Sequence, residues 1–393
     1  MTLTASDQRR ERPIAVCGHL CLDVIPGFGS APPGEGFLTP GSLTLVETPV
    51  ISTGGAVGNV GIDLWRLGVP VELVARIGDD AFGSLVRERL AREDESLVRG
   101  LVCVPGAATS YTIVLSPPGV DRSFLHCPGA NDGFTPTDVD DHLLESVAVL
   151  HFGYPPLLER IFSDGGDALT CLFRRARARG VLTSLDMTLP DPASRAGGID
   201  WEAFLARVLP ETDLFAPSLG ELLFMVDRPA YQALREGRVT GGIARVDFAT
   251  LRAASDRLLE WGVGASLIKL GEWGLYLRTG DTSRLDGDWA RREIYCPAFR
   301  VRRVVGTTGA GDAAVAGFLA GLRERLPVEE ALAAGAAVGA CSVEASDASS
   351  GVAPWDATLQ RIRSGWERRV APLPSGDWSM GKQGTWRGPA DGG

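Results

Sequence analysis

From Val147 onward, short apolar runs alternate with helical segments, and this alternation limits the fold more than any other feature of the chain. VAVLHFG (147–153) precedes a helical pattern over 157–179, which leads to VLTSLDM (181–187). A helix near 201–209 leads to TDLFAPS (212–218), and a longer helical region leads to ASLIKLG (265–271) and GLYLR (274–278). Strands of this kind, apolar on both faces and separated by helices, imply a mainly parallel sheet covered on both sides. Upstream, PIAVCG (13–18) and VELVARI (71–77) read as further buried strands, with a loop opening into a helix over Gly54–Gly68 and another helix running to Leu90. The expected class is α/β, a central sheet flanked by helices on both faces, forming one domain over about 13–370.

Two pieces interrupt the alternation. One, about 36–53, carries SLTLVETPVIS; the other, about 107–127, carries TSYTIVLSPPGVDRSFLH and is expected to turn at Pro117–Arg122. Their alternating polarity suits a small second sheet with one solvent face, either a lid over a cleft or a plain edge extension. Residues 312–323 and 328–346 read as two Ala-rich helices broken at Pro327, and the Gly-rich stretch 371–393 reads as a loose tail. The region 228–262 carries no function that its residues argue for.

A chain of 393 residues with net charge −10 and both signs mixed along its length lacks the basic patch that nucleic acid or an anionic membrane requires. Seven cysteines show no CxxC pair, and four histidines (19, 126, 142, 151) show no ligand spacing of the HExxH type. The polar start MTLTASDQRRERP lacks the apolar core of a signal peptide, and no apolar run reaches the ~18–20 residues of a membrane span. A reducing cytoplasm is the expected location.

The most informative segment for chemistry is VVGTTGAGDAAVAGFLAGL, residues 304–322. Glycines at 309 and 311 free the backbone N–H groups from side-chain obstruction, and the helix that follows adds its positive end. Together they make a place for a phosphate whose charge spreads in a transition state, with Asp312 positioned to take a proton from an attacking hydroxyl. An Asp at a helix start is commonly only an N-cap, but a cap needs no Thr-Thr-Gly-Ala-Gly run before it. Gly309, Gly311 and Ala314 also fit a dinucleotide fingerprint. Its acidic partner should end a strand about 20 residues on, whereas Glu329 and Glu330 sit in a helical pattern. No GxxxxGK[ST] sequence occurs.

These residues resemble the ribokinase-like (PfkB) carbohydrate kinases. GGAVGNVGIDLWRLGVPVELVARIGDDAFG (54–83) is similar to that family's GG-x-x-x-N helix start and following G-x-D strand end, and GTTGAGDAAVAGFLAG (306–321) to its DTTGAGD signature. Between them, HCPGAN (126–131), HFGYPP (151–156), FAPSLGEL (215–222) and IKLGEWGLYL (268–277) stand where the family carries similar pieces. The resemblance implies Asp312 as catalytic base and the turn Gly309, Ala310, Gly311, Asp312 as anion hole. It implies Asp23, Gly54, Gly55 and Asn59 as substrate-binding residues, and Glu221 as the acid associated with Mg²⁺. Lys269 and Gly271, with Thr307 and Thr308, are expected near the nucleotide. Asn59 and Glu221 also read as ordinary helix-start residues.

Two departures stand out. The signature usually begins with Asp where this chain has Gly306, which puts activation by a monovalent cation in doubt; the Asn-x-x-Glu segment reads Ser218-Leu219-Gly220-Glu221. The resemblance implies ATP-dependent phosphorylation of a hydroxyl on a sugar-like small molecule, with Mg²⁺. A nucleoside acceptor, stacked on Phe37 or Tyr111, is the alternative within the same fold. A sugar-binding protein whose kinase activity has lapsed is the alternative of a different class. Exposed lid strands in such folds can pair between subunits, which is the expected route to a homodimer.

Overall fold

The structure is a computed structural model that describes residues 10–29, 40–117, 122–236, 248–281, 284–285, 287–345, 347–370 and 376–392. Phe37, the 118–121 hairpin turn, the centre of the 228–262 region and residues 371–375 therefore lie outside the described residues.

In chain order the strands are β1 (Ile14–Gly18), β2 (Cys21–Gly27), β3 (Glu47–Gly54), β4 (Val71–Gly78), β5 (Leu101–Val104), β6 (Tyr111–Leu115), β7 (Ser123–Cys127) and β8 (Val149–Gly153). They continue with β9 (Leu182–Asp186), β10 (Leu214–Phe215), β11 (Ala265–Lys269), β12 (Leu275–Thr279), β13 (Glu293–Cys296), β14 (Ser379–Met380) and β15 (Trp386–Arg387). Among the described residues, eleven strands form one sheet in the order β14-β15-β13-β12-β11-β10-β9-β8-β1-β4-β5. The run from β11 to β5 is parallel, and β12 onward turns antiparallel.

Successive strand residues feed two separate cores. Ile14 and Val16 join one with Leu73, Val149, Leu267 and the helices Gly55–Arg66, Ala310–Arg323 and Val328–Ser342. Ala15 and Cys17 join the other with Val74, Leu150, Phe152, Ile268 and the helices between 141 and 260. Both faces are thus dry, which is why these strands read as unbroken apolar runs. The α/β class with helices on both faces is what the structure shows.

A second sheet, ordered β3-β2-β6-β7, forms the small β lid. β2 was not expected as a strand, since Asp23 and Pro26 interrupt its apolar pattern, and β5 and β13 are too short to register. In the first lid segment pairing begins only at Glu47; Leu43, Leu45 and Val46 lie outside it and exposed. The helix expected over 157–179 is broken. Asp164 accepts from the N–H groups of Gly166 and Ala168 at 2.9 Å each, capping a new helix that runs from Asp167 to Ala178. The last Ala-rich helix stops at Ser342, where the Glu344 and Ala345 N–H groups turn to the Cys341 and Ser342 carbonyls at 3.1 Å each, and the Val343 carbonyl accepts from the Val305 N–H at 2.8 Å.

The described part of the C-terminal stretch is not a loose tail. β15 pairs with β13, and Thr385 is buried. The Arg292 guanidinium, itself buried, is held by Asp391 at 2.5 Å, Asp288 at 3.2 Å and Glu329 at 3.3 Å. Arg387 reaches Glu329 at 2.6 Å, and Trp378 packs on Phe248. Charged residues at 1–2-residue strands leave no periodic signal, so their partners elsewhere in the chain decide. Among the described residues no helix is long and apolar enough to cross a membrane, and the seven cysteines are free.

Deleting residues 376–393 should strip Asp391 from Arg292 and Arg387 from Glu329, leaving that buried pair with fewer partners, and cost on the order of 3 kcal/mol. Denaturant unfolding checks this; an unchanged midpoint would show the segment contributes nothing.

Candidate active site

The parallel strands end together along one edge of the sheet, and the residues just past those ends converge there. His19 follows β1, Tyr154 follows β8, Asp186 closes β9, Ser218 follows β10 and Lys269 closes β11. Five chain segments far apart in sequence thereby meet at the start of the helix Ala310–Arg323.

That helix begins on Gly309, whose φ of +74° is left-handed and whose Cβ, if present, would lie 2.4 Å from the Cβ of Ala348. Any side chain there is excluded twice over. Among the described residues the N–H groups of Gly311 and Asp312 have no acceptor, and that of Ala310 makes only a long contact of 3.4 Å to the Thr307 carbonyl. First-turn amides have no intrahelical partner by geometry, so they remain available here. Asp312 does not cap the helix through its side chain. Instead its carboxylate accepts from Asn59 Nδ2 at 2.8 Å and from the Tyr154 hydroxyl at 2.5 Å. Asn59 stands on the helix Gly55–Arg66 and is buried. Burial, with Asp312 beside it, pushes the Tyr154 phenol well above its ordinary range, so it stays a donor.

Beneath the turn lies a charge cluster. Lys269 Nζ donates to both oxygens of Asp186 at 2.7 and 2.8 Å. The same ammonium is 3.7 Å from where a Cβ on Gly311 would sit. Burial opposes its charge, but Asp186, Glu221 and Asp312 together hold it protonated. Burial pushes the Asp186 and Glu221 carboxyls up, against the pull of Lys269. Glu221 is also half of a capping box. Its Oε2 accepts from the Ser218 N–H at 2.6 Å, while Ser218 Oγ accepts from the Glu221 N–H at 3.3 Å. Lys269 therefore lies against Gly311 of the turn, whereas Gly271 sits on the short helical turn Gly271–Trp273 with open space around it. Thr307 is exposed, and the Thr308 hydroxyl accepts from Arg122 of the lid.

On the lid side, strand register aligns three polar residues. Asp23 of β2 pairs with Thr112 of β6, and Thr112 with His126 of β7. Thr112 Oγ1 lies 3.0 Å from His126 Nδ1, and Cys21 Sγ donates to Asp23 at 3.3 Å. Gly54 backs this row; a Cβ there would fall 2.2 Å from Asp23 Oδ2. Burial pushes Asp23 up to about 6, while Cys21 and Thr112 pull it down and Asp312 pushes it further up. His126 is pushed down to about 4 by burial, and His19 well down by burial and by His126, so both imidazoles are neutral.

Four buried polar atoms around this row have no partner: His19 Nδ1, His126 Nε2, Asn59 Oδ1 and Asn131 Oδ1. Their concentration beside two carboxylates marks the site. A surface depression of about 620 Å³ lined by Arg300, Glu367, Arg368, Arg369 and Val370 shares no residue with it. Tyr111 alternates with Thr112 onto the opposite face of the sheet and packs edge-on against Phe82, so it does not line this space.

Sequence reasoning had not singled out Tyr154, Asp186, His19, His126 or Asn131. Asp186 carried a usable signal, an acid closing a buried parallel strand. The others depend on which strand ends become neighbours.

The fold and this turn define an α/β protein with unengaged helix-start amides beside a β lid. Residues 14–356 match the sequence model of the pfkB family carbohydrate kinases, and the chain belongs to that family. It is 26% identical over 295 residues to an uncharacterized sugar kinase of Archaeoglobus fulgidus, covering 74% of this chain and 97% of that protein. It is 26% identical over 315 residues to the 2-dehydro-3-deoxygluconokinase of Bacillus subtilis, covering 78% of this chain and 85% of that one. The Arabidopsis thaliana ribokinase complexed with ribose and ATP superposes with a TM-score of 0.67 at 20% identity, covering 89% of this chain and 98% of that one.

Lys269→Met should leave Asp186 buried without its cation and destabilise the fold by about 3–5 kcal/mol. Chemical denaturation measures this, and a loss under about 1 kcal/mol would show the pair to be solvated.

Proposed function

We propose that this protein transfers the γ-phosphoryl group of ATP to a hydroxyl of a sugar-like substrate, with Asp312 as general base. The observation that carries the reading is the pairing of unengaged first-turn amides at Gly311 and Asp312 with an oriented carboxylate on the same turn. The substrate oxygen forms a bond to the γ-phosphorus as the bond to the bridging β–γ oxygen breaks. Its proton passes to Asp312, and ADP leaves. Asn59 and Tyr154 fix the orientation of that carboxylate, while the amides of Ala310, Gly311 and Asp312 receive the charge on the moving phosphoryl oxygens. Lys269, protonated beneath Gly311, adds a fixed positive charge to the same place. Asp23, with Gly54 at its back and Gly55 packed against the neighbouring His19, accepts hydrogen bonds from substrate hydroxyls. Thr307 and Thr308, which lead into the turn, would be the residues nearest the nucleotide in this reading.

Among the described residues no group of three or more acidic, histidine or cysteine side chains could hold a metal. That fits Mg²⁺, which keeps most of its waters and is carried largely by phosphates. Glu221 is the residue that would face it through water, since its Oε2 is already bonded to the Ser218 N–H. The ion would supply neutralisation of the β- and γ-phosphate oxygens. Retention of the whole arrangement around Asp312 favours an active kinase over a lapsed one, and the placement of Tyr111 gives a nucleoside base no stacking partner from that residue.

Asp312→Ala should lower kcat by about 10²-fold or more with little change in sugar affinity. Coupled ADP release tests it, and near-normal turnover would remove the assignment. Asp23 accepts from hydroxyls through both oxygens only when ionised, since protonation turns one of them into a donor, and it is pushed up to about 6. Sugar kcat/KM should therefore fall as pH drops through that value and level off above it. A profile flat from pH 5 to 7, or one that Asp23→Asn leaves unchanged in shape, would contradict this role.

A further inference from the structure

The described lid residues 21–29, 40–54, 107–117 and 122–127 contain two carboxylates, Asp23 and Glu47, and a single cation, Arg122. Arg122 donates to Thr308 at the amide turn. Lys269, at the other end of the site, is held by both oxygens of Asp186. Among the described residues, the groups that act on Asp23 are Cys21, Thr112 and Asp312, and none is cationic.

The unpaired buried atoms have the same character. Asn59 Nδ2 is spent on Asp312, leaving its carbonyl oxygen unpaired; Asn131 Nδ2 is spent on the Leu20 carbonyl at 2.8 Å, leaving its oxygen likewise. Two amide oxygens and the Asp23 carboxylate are acceptors that call for O–H donors. The imidazole nitrogens of His19 and His126 each add one further contact of either polarity. Among the described residues, a phosphate or carboxylate brought to Asp23 would meet acceptors, lose its hydration and find no cation to replace it.

Resting on the kinase reading above, we infer that the acceptor is a neutral, hydroxyl-rich molecule such as an unphosphorylated sugar, and that the Asp23–Thr112–His126 row excludes sugar acids and sugar phosphates. Positive charge is confined to the phosphoryl end of the site. The sugar end is a bank of acceptors, so hydroxyl count sets affinity and an anionic substituent lowers it.

The test is a binding panel on the full chain with Mg²⁺ and a non-hydrolysable ATP analogue, read by calorimetry. Fructose, ribose, glucose and myo-inositol are the neutral members; fructose 6-phosphate, gluconate and 2-dehydro-3-deoxygluconate are the anionic ones. At least one neutral member should bind 10-fold or more tighter than every anionic one. An anionic member binding as tightly as the best neutral one, or no neutral member binding at all, overturns the inference. His126→Arg places a cation in the row and should shift the neutral-to-anionic affinity ratio by 10-fold or more toward the anion. His126→Gln, which keeps a neutral polar group, should leave that preference in place. An unchanged ratio in the folded arginine variant counts against the row as the discriminating element. ADP release with ATP in place of the analogue separates the two claims: neutral-selective binding without turnover sinks the kinase reading and leaves the charge selectivity standing, while turnover of an anionic sugar alone sinks the selectivity and leaves the kinase.

Discussion

An α-helix cannot satisfy the amides of its own first turn, and in this protein the unmet need at Ala310–Asp312 organises everything around it. The left-handed Gly309 brings the chain into the helix without a side chain over those amides, and Ala348 packs where that side chain would be. Asp312 then faces Asn59 and Tyr154 and not its own backbone, so the carboxylate that would ordinarily cap the helix is turned toward the cleft. The amides and the carboxylate stay adjacent and unspent on one another, which is the condition for receiving a phosphoryl group and a proton at neighbouring points.

Holding this arrangement requires burying charge. Asp23, Asp186, Glu221 and Asp312 converge with a single ammonium, Lys269, and burial pushes Asp23, Asp186 and Glu221 toward their neutral forms. Polar groups packed together this way are costly to bury, and their mutual hydrogen bonds hold them in fixed orientation. The cluster sits at the carboxyl ends of the parallel strands, where loops can supply polar groups without interrupting either apolar core. The β lid adds a second polar row whose spacing is set by strand register, and it closes over the same point from the other side.

Much of this was legible from residue order. Apolar strands separated by helices required a sheet with two covered faces, and the GTTGAGD segment announced a bare turn feeding a helix. β2 escaped notice because its aspartate and proline break the apolar pattern, although it lies at the centre of the lid. The C-terminal stretch looked loose because Gly and charge dominate it. It is held by ion pairs to Arg292 and Glu329, about 60 to 100 residues upstream in the chain, and such contacts leave no local period.

The sequence by itself determined the layers, the parallel core and the identity of the catalytic-looking turn, because these follow from periodicity and from what glycine alone permits. Tertiary structure decided the company that turn keeps. Tyr154, Asp186, His19 and Lys269 meet there only because β8, β9, β1 and β11 take particular places in one sheet, and strand order is a property of packing that no short stretch of residues encodes. The direction in which Tyr111 and Thr112 face apart was fixed the same way, by the side of the lid that finds a core to cover.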